Sequence, residues 1–222
     1  MKKEDIEILK RSLPKYPNIL EKEVYFNAAV LIPLIEIDGE FCFLFEKRAP
    51  HIRQGGEISF PGGEYDPKSD KSCLETAIRE TEEELGIKRE NIEIIGRLDT
   101  LFTPRGVTVD SFIGIVNNVD LDKLNIDKNE VESVFFVPVS WFENNPPLKF
   151  KLKTEIKPYY YDKKGKKVVL LPVKELGLPK RYEEPWEGME YRVFVYKTEK
   201  EIIWGITAKL IYEIVSKIKG SS

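Results

Sequence analysis

Sulfur and imidazole are scarce in this chain. Its 222 residues hold two cysteines, Cys42 and Cys73, and one histidine, His51. A histidine metal centre needs several imidazoles, and a disulfide framework needs more thiols, so neither organises the protein. Reduced, packed thiols point to a cytoplasmic setting. No window approaches the ~18 apolar residues of a membrane span, which argues against a membrane partner. Met1 to Lys10 alternates charge with aliphatics and has no apolar signal core. The net charge of −3 argues against broad nucleic-acid binding. Glutamine occurs once, at Gln54, amid abundant Lys and Glu, a composition prior for a thermophile. What is present is 41% hydrophobic residues, enough for one substantial core, read as a single domain over 1–222.

Hydrophobic periodicity places the elements. Residues 4–12 have helical character. Ala28–Ile37 and Glu40–Phe45 read as strands joined by the hairpin signal Asp38-Gly39. Ile58–Phe60, Ile92–Leu98, Val107–Val116, Val134–Val137 and Tyr191–Tyr196 are further strands, with a short helix at Val139–Glu143. Leu148–Tyr161 and Lys166–Val173 flank Asp162-Lys163-Lys164-Gly165 and read as an extra basic hairpin. That hairpin is taken as solvated or as a subunit contact rather than a nucleic-acid site. Leu178–Glu190, acidic and proline-containing, reads as loop, so 145–190 is taken as an insertion. Thr207–Lys219 predicts an amphipathic helix, and Gly220-Ser221-Ser222 a fraying tail. A mixed sheet with helices on both faces, of the α/β class, accommodates these elements.

The densest information lies in Arg79-Glu80-Thr81-Glu82-Glu83-Glu84-Leu85-Gly86-Ile87, preceded by Phe60-Pro61-Gly62-Gly63. Ser72 followed by Glu75 is a capping-box pattern and Gly86 a C-terminal stop, so a helix is expected over about 73–85. At about 100° per residue, with Glu80 at zero, Glu84 lies about 40° to one side and Glu83 about 60° to the other. Glu82 points roughly opposite, while Leu74, Ala77, Ile78, Thr81 and Leu85 share an adjacent apolar sector. Three carboxylates therefore converge beside the core and the fourth faces water. A solvated acidic face is the bland alternative for such a run. Here the run is tied to a Gly-Gly turn, a leading Arg and a closing Gly, and like charges at this spacing repel. Oxygen-only ligands suit Mg²⁺ or Mn²⁺.

This segment resembles the signature of the Nudix hydrolases: Gly, five residues, Glu, seven residues, Arg-Glu, an apolar residue, any residue, Glu-Glu, any residue, Gly, apolar. Thr81 fills the first apolar slot. The first half departs from the pattern: Gly63 to Arg79 is two residues longer than usual, and Lys71 stands where the upstream Glu belongs. Asp70 and Glu64 stand nearest to it, and no role is carried over. The resemblance implies the Nudix α/β/α sandwich and metal-activated water cleaving a pyrophosphate linkage. It implies metal ligands at Glu80, Glu84 and Glu83, with a turn carbonyl for which we choose Gly62. Arg79, one turn before Glu83, would orient it by an ion pair. The general base is open among Glu83, Glu57 and Glu130, in that order.

Outside this box, Leu44-Phe45-Glu46-Lys47-Arg48-Ala49, Arg53 and Gly56-Glu57-Ile58-Ser59-Phe60-Pro61-Gly62-Gly63 are similar to the segment marking coenzyme A pyrophosphatases, with the Arg53–Phe60 spacing one residue shorter. Thr103-Pro104-Arg105-Gly106-Val107-Thr108 and Ile203-Trp204-Gly205-Ile206-Thr207-Ala208 extend the similarity. It implies cleavage of coenzyme A or a derivative to 3′,5′-ADP and a phosphopantetheine product. Arg48, Arg53 and Arg105 are the candidate phosphate holders, although either of the first two alone reads as surface charge. Trp204 is read as core packing and Thr207 as a helix cap. Hydrolysis of ADP-ribose or another nucleoside diphosphate derivative is the enzymatic alternative. A non-catalytic Nudix-fold binding module would usually lack a box carboxylate, and all three are retained. Homodimers are common among proteins of this kind.

Overall fold

The computed structural model describes residues 2–16 and 18–220; the expected fraying at Ser221 and Ser222 lies outside the described residues. The strands are β1 (Phe26–Ile37), β2 (Glu40–Arg48), β3 (Ile58–Ser59), β4 (Gly62–Glu64), β5 (Ile92–Arg97), β6 (Leu101–Thr103), β7 (Val107–Val116), β8 (Val131–Pro138), β9 (Leu148–Ile156), β10 (Tyr159–Tyr161), β11 (Lys167–Val169), β12 (Trp186–Lys197) and β13 (Ile202–Trp204). The α-helices are α1 (Lys3–Ser12), α2 (Cys73–Leu85), α3 (Val139–Asn144) and α4 (Gly205–Ile218). No described helix is long and apolar enough to cross a membrane.

An eight-stranded mixed sheet forms the centre, in the order β3-β2-β1-β7-β5, with β4 on β1, β6 on β7 and β8 on β2. β1 and β7 run parallel, and the other pairings are antiparallel. Asp38 and Gly39 both take positive φ (52° and 82°), as the tight β1–β2 hairpin requires. Alternation along the central strands divides the core into two layers. Ala29, Leu31 and Phe112 pack with Ala77 of α2, and Leu44 with Leu85 at its end. Ile32, Phe43 and Phe45 face the other way, onto Phe142 of α3 and Leu210, Ile211 and Ile214 of α4. The result is helix, sheet, helix, as expected.

Two expectations fail in the second half. Leu148–Tyr161 does not fold onto Lys166–Val173 as one hairpin. Only Tyr159–Tyr161 pairs with Lys167–Val169, while β9 pairs across the chain with β12, Leu148 opposite Val195. Nor is Leu178–Glu190 all loop, because β12 begins at Trp186 and carries a bulge between Glu187 and Glu190. Turn residues at Asp162–Gly165 advertise a local partner, whereas β9 forms a longer ladder by pairing with β12. The resulting sheet, β13-β12-β9, leads into α4.

Candidate active site

Helix α2 ends where its local sequence says it should. Ser72 Oγ accepts from the Glu75 amide at 3.3 Å, and Gly86 closes the helix at φ 69°. Thr76, Ala77, Ile78, Thr81, Glu84 and Leu85 are its buried residues, so the buried sector reaches beyond the apolar stripe to take in Glu84. Leu74, assigned to that stripe, is only half-buried.

Gly62 and Gly63, expected as a turn, are extended in strand β4 beside β1, and their missing side chains let this helix approach the sheet. A Cβ on Gly62 would overlap the Ala29 carbonyl and the Val30 backbone, and one on Gly63 would overlap the Glu80 carboxylate. The Gly62 amide donates to Glu84 Oε2 at 2.9 Å. Gly62 thus meets the acidic helix through its N–H rather than through the carbonyl chosen from sequence.

Two of the four glutamates reach the core, whereas Glu83, expected beside them, is exposed like Glu82. Glu84 is 2% exposed, Glu80 is largely covered, and Glu83 lies outside on the same side. Glu82 faces away, and its Oε1 accepts from the Arg89 amide at 2.7 Å. Arg79 Nη1 stands 2.9 Å from Glu80 Oε1 and 2.8 Å from Glu83 Oε2, so the ion pair expected with Glu83 is present. The far side of the guanidinium is held by Asp70, through Nε to Oδ1 at 3.0 Å and Nη2 to Oδ2 at 3.1 Å. Thr76 Oγ1 also donates to Asp70 Oδ2, at 2.9 Å. Asp70, one residue before the position where the signature has its Glu, is thus the acid that pairs with Arg79, while Glu64 is exposed on β4.

Sequence reasoning missed Glu46. It is 0% exposed on β2, in register with Ser59, whose hydroxyl donates to Glu46 Oε1 at 2.8 Å. Arg48 Nη1 is 3.6 Å from the same oxygen, while Glu46 Oε2 has no hydrogen-bond partner. The signal was available in the two-residue period of the strand: Glu46 lies on the Leu44 face, which packs against the end of α2.

Burial first, and then the neighbouring Glu46 charge, push the Glu84 carboxyl up to about 9. Glu46 is raised chiefly by burial, against the Ser59 hydrogen bond and the Arg48 charge. Glu80 is also raised, by burial first, against Arg79, with Glu83 and Glu130 adding to the rise. Asp70 is lowered by its hydrogen bonds to Arg79. Such a cluster is stable only with protons or a cation among its oxygens. An all-oxygen donor set with a buried, unpartnered carboxylate oxygen fits a hard divalent ion. Among the described residues no three acidic, His or Cys side chains stand ready at ligand spacing, as Arg79 holds Glu80 and Glu83.

Of the remaining candidates, Arg48 borders this cluster directly. Arg48 turns inward to Glu46, and its Nε donates to the Arg53 carbonyl at 3.3 Å. The Arg53 guanidinium lies 5.8 Å from the centre of the Phe26 ring. Glu57 Oε2 accepts from Gln54 at 3.2 Å, and Glu130 is exposed. Arg105 is exposed on the β6–β7 turn. Two assignments near the end are corrected. Trp204 is 46% exposed rather than core, because it closes β13 at the sheet surface. Thr207 does not cap α4; it lies inside the helix, buried, and donates to the Ile58 carbonyl at 3.0 Å.

The sequence model of the NUDIX domain matches residues 25–161, which include every element of this cluster. The chain belongs to the Nudix family. It is 28% identical over 195 residues to an uncharacterized Nudix hydrolase NudL of Photorhabdus laumondii, covering 87% of this chain and 85% of that one. It is 35% identical over 129 residues to Nudix hydrolase 3 of Caenorhabditis elegans, covering 56% of this chain and 53% of the relative. Among solved structures, a C. elegans Ap4A hydrolase in a binary complex matches 51% of this Nudix chain and 80% of its own, at 25% identity and a TM-score of 0.43.

Proposed function

We propose that this Nudix chain hydrolyses a pyrophosphate linkage with Mg²⁺ or Mn²⁺, and that its substrate is coenzyme A or a derivative of it. One observation carries the chemistry: Glu84 and Glu46 lie buried together beside Gly62 and Gly63 of β4, with Glu80 next to them, where only protons or a cation can balance them. Glu80, Glu84 and Glu83 would hold the ion, with the Gly62 carbonyl from β4. A bound divalent ion offsets phosphate charge and lowers the pKa of water. Glu83 is our first choice to take the proton of the attacking water, ahead of Glu57 and Glu130, and Arg79 orients it. Water oxygen bonds to phosphorus, the bridging P–O bond breaks, and two phosphomonoesters leave.

The substrate class rests on the segments outside the acidic helix. The FPGG segment and the IWGITA segment, far apart in sequence, meet where Thr207 bonds the Ile58 carbonyl. Arg48, Arg53 and Arg105 are the proposed holders of the nucleotide phosphates. The named relatives, NudL and Nudix hydrolase 3, support hydrolysis without choosing a substrate. We place the protein in the cytoplasm, in keeping with a buried Cys42 and half-buried Cys73 that form no bridge. We extend the proposal to a homodimer, because the edge strand β9 turns Leu148, Phe150, Leu152 and Ile156 to solvent. Light scattering of purified protein tests that.

The activity test is incubation with Mg²⁺ or Mn²⁺ and coenzyme A, ADP-ribose, NADH and nucleoside triphosphates in parallel. Preferential release of 3′,5′-ADP supports the proposal. Turnover of ADP-ribose or triphosphates alone assigns a different Nudix specificity. No metal-dependent turnover of any of them favours a binding module.

A further inference from the structure

Glu46 belongs to no part of the acidic signature, yet it is the most deeply buried carboxylate of the cluster. Three facts make its position unusual. Its side chain is 0% exposed in the middle of the molecule. One oxygen is provided for, by the Ser59 hydroxyl at 2.8 Å and the Arg48 guanidinium at 3.6 Å. The other, Oε2, meets no N–H or hydroxyl donor, and only a proton held on the neighbouring Glu84 carboxyl could serve it.

A buried carboxylate oxygen without a donor is rare, because losing water without replacement costs several kcal/mol. The surroundings make matters worse rather than better. Glu84, equally buried, is a neighbour, and its own Oε2 already takes the Gly62 amide at 2.9 Å. The nearest guanidinium, Arg48, serves Oε1 at a long distance, while Arg79 is occupied by Asp70, Glu80 and Glu83. Nitrogen donors are therefore used up around Glu46, and what its free oxygen lacks is a positive partner. A simple strut for Arg48 would need only one oxygen and would sit more comfortably as Gln. A hard cation, bound by oxygen alone, suits the free carboxylate oxygen better than an amide would.

We propose that Glu46 is a cation-holding residue of this site, its free Oε2 on β2 joining the α2 carboxylates Glu84, Glu80 and Glu83 in holding a divalent ion. This rests on the metal-dependent reading above and adds a ligand that the acidic helix does not contain. Arg48 then has two duties, positioning Glu46 from one side and offering its remaining nitrogens to phosphate.

The test is Mn²⁺ binding followed by electron paramagnetic resonance, on the unaltered protein and on Glu46→Gln, which retains shape and the Ser59 contact but loses the charge. The expected result is a loss of affinity of about tenfold or more, or one fewer ion bound. Glu46→Gln should also unfold at a higher temperature than the unaltered protein in EDTA, since a buried charge has gone, and should lose most of the stabilisation that Mn²⁺ supplies. Equal stoichiometry and affinity in both proteins would overturn the assignment of Glu46 alone, leaving metal-dependent hydrolysis standing. Failure of the unaltered protein to bind Mn²⁺ would overturn both. If Glu46→Gln does not fold, anomalous scattering from a Mn²⁺-soaked crystal of the unaltered protein decides. A peak at bonding distance from Glu46 Oε2, ~2.2 Å, supports the proposal. A peak held only by the α2 glutamates overturns it.

Discussion

Asp70 grips Arg79 through two parallel hydrogen bonds, 3.0 and 3.1 Å long, from a buried position before α2. The pair locks the guanidinium so that its remaining nitrogen faces Glu80 and Glu83. Asp70→Asn should therefore release Arg79 without emptying its site. The expected loss is about 2 kcal/mol of stability, because hydrogen bonds to a charged group are broken. Activity should fall through kcat, with urea unfolding and steady-state kinetics as the measurements. Unchanged kcat would mean that Arg79 does not need Asp70.

The helical angles of α2 predict opposite outcomes for adjacent glutamates. Glu80→Gln should lose more than about tenfold in activity while remaining folded, since it sits among the proposed ligands. Glu82→Gln should lose little, because that side chain faces Arg89 on the far side. Equal losses in both, measured with any accepted substrate, would refute the division of the cluster.

Gly62 and Gly63 should fail in different ways. A methyl on Gly62 meets backbone of β1, which cannot retreat, so Gly62→Ala should lower thermal stability. A methyl on Gly63 meets the end of the Glu80 side chain, which can swing aside. Gly63→Ala should stay folded and lose metal-dependent activity. Circular dichroism melts beside activity assays separate the two.

The raised carboxyls set a pH dependence. In the unfolded chain Glu84 releases its proton near 4.5, whereas in the fold it keeps the proton up to about 9. Between those values the unfolded state binds fewer protons, so stability falls as pH rises. Glu46 and Glu80 act in the same direction. Asp70 acts oppositely and only in acid, its contribution disappearing as pH drops below about 3.8. In EDTA the melting temperature should therefore fall from pH 5.5 to pH 9, by ~5 °C or more. Saturating Mn²⁺ should flatten that slope. A melting temperature that rises with pH in EDTA would contradict it.

Parts of this site were legible in the bare sequence and parts were not. Helix α2 could be drawn from Ser72, Glu75 and Gly86, because capping is decided within a few residues. The burial of Glu84 was only half visible: its angle placed it beside the apolar stripe, and β4 then covered it. Glu46 looked like one more charge in a charged strand, although its alternation with Leu44 pointed inward. The region 148–190 misled for a different reason. Turn residues at Asp162–Gly165 signal a local hairpin, while the pairing of β9 with β12 spans a long stretch of chain and leaves no local mark. Trp204 was misjudged because an aromatic residue in an apolar run reads as core whichever face of the strand it occupies.

What the sequence determined by itself was the acidic helix, its caps, the inward angle of Glu80 and Glu84 against the outward Glu82, and the layered α/β architecture. Those follow from fixed rotation per residue, strand alternation and short-range capping. Tertiary structure alone decided that Asp70, rather than Lys71 or Glu64, holds Arg79, and that the inward-facing Glu46 meets Glu84. Both depend on strand register and on how closely Gly62 and Gly63 of β4 let helix and sheet approach. Such distances are set by packing between segments remote in the chain, and no local pattern encodes them.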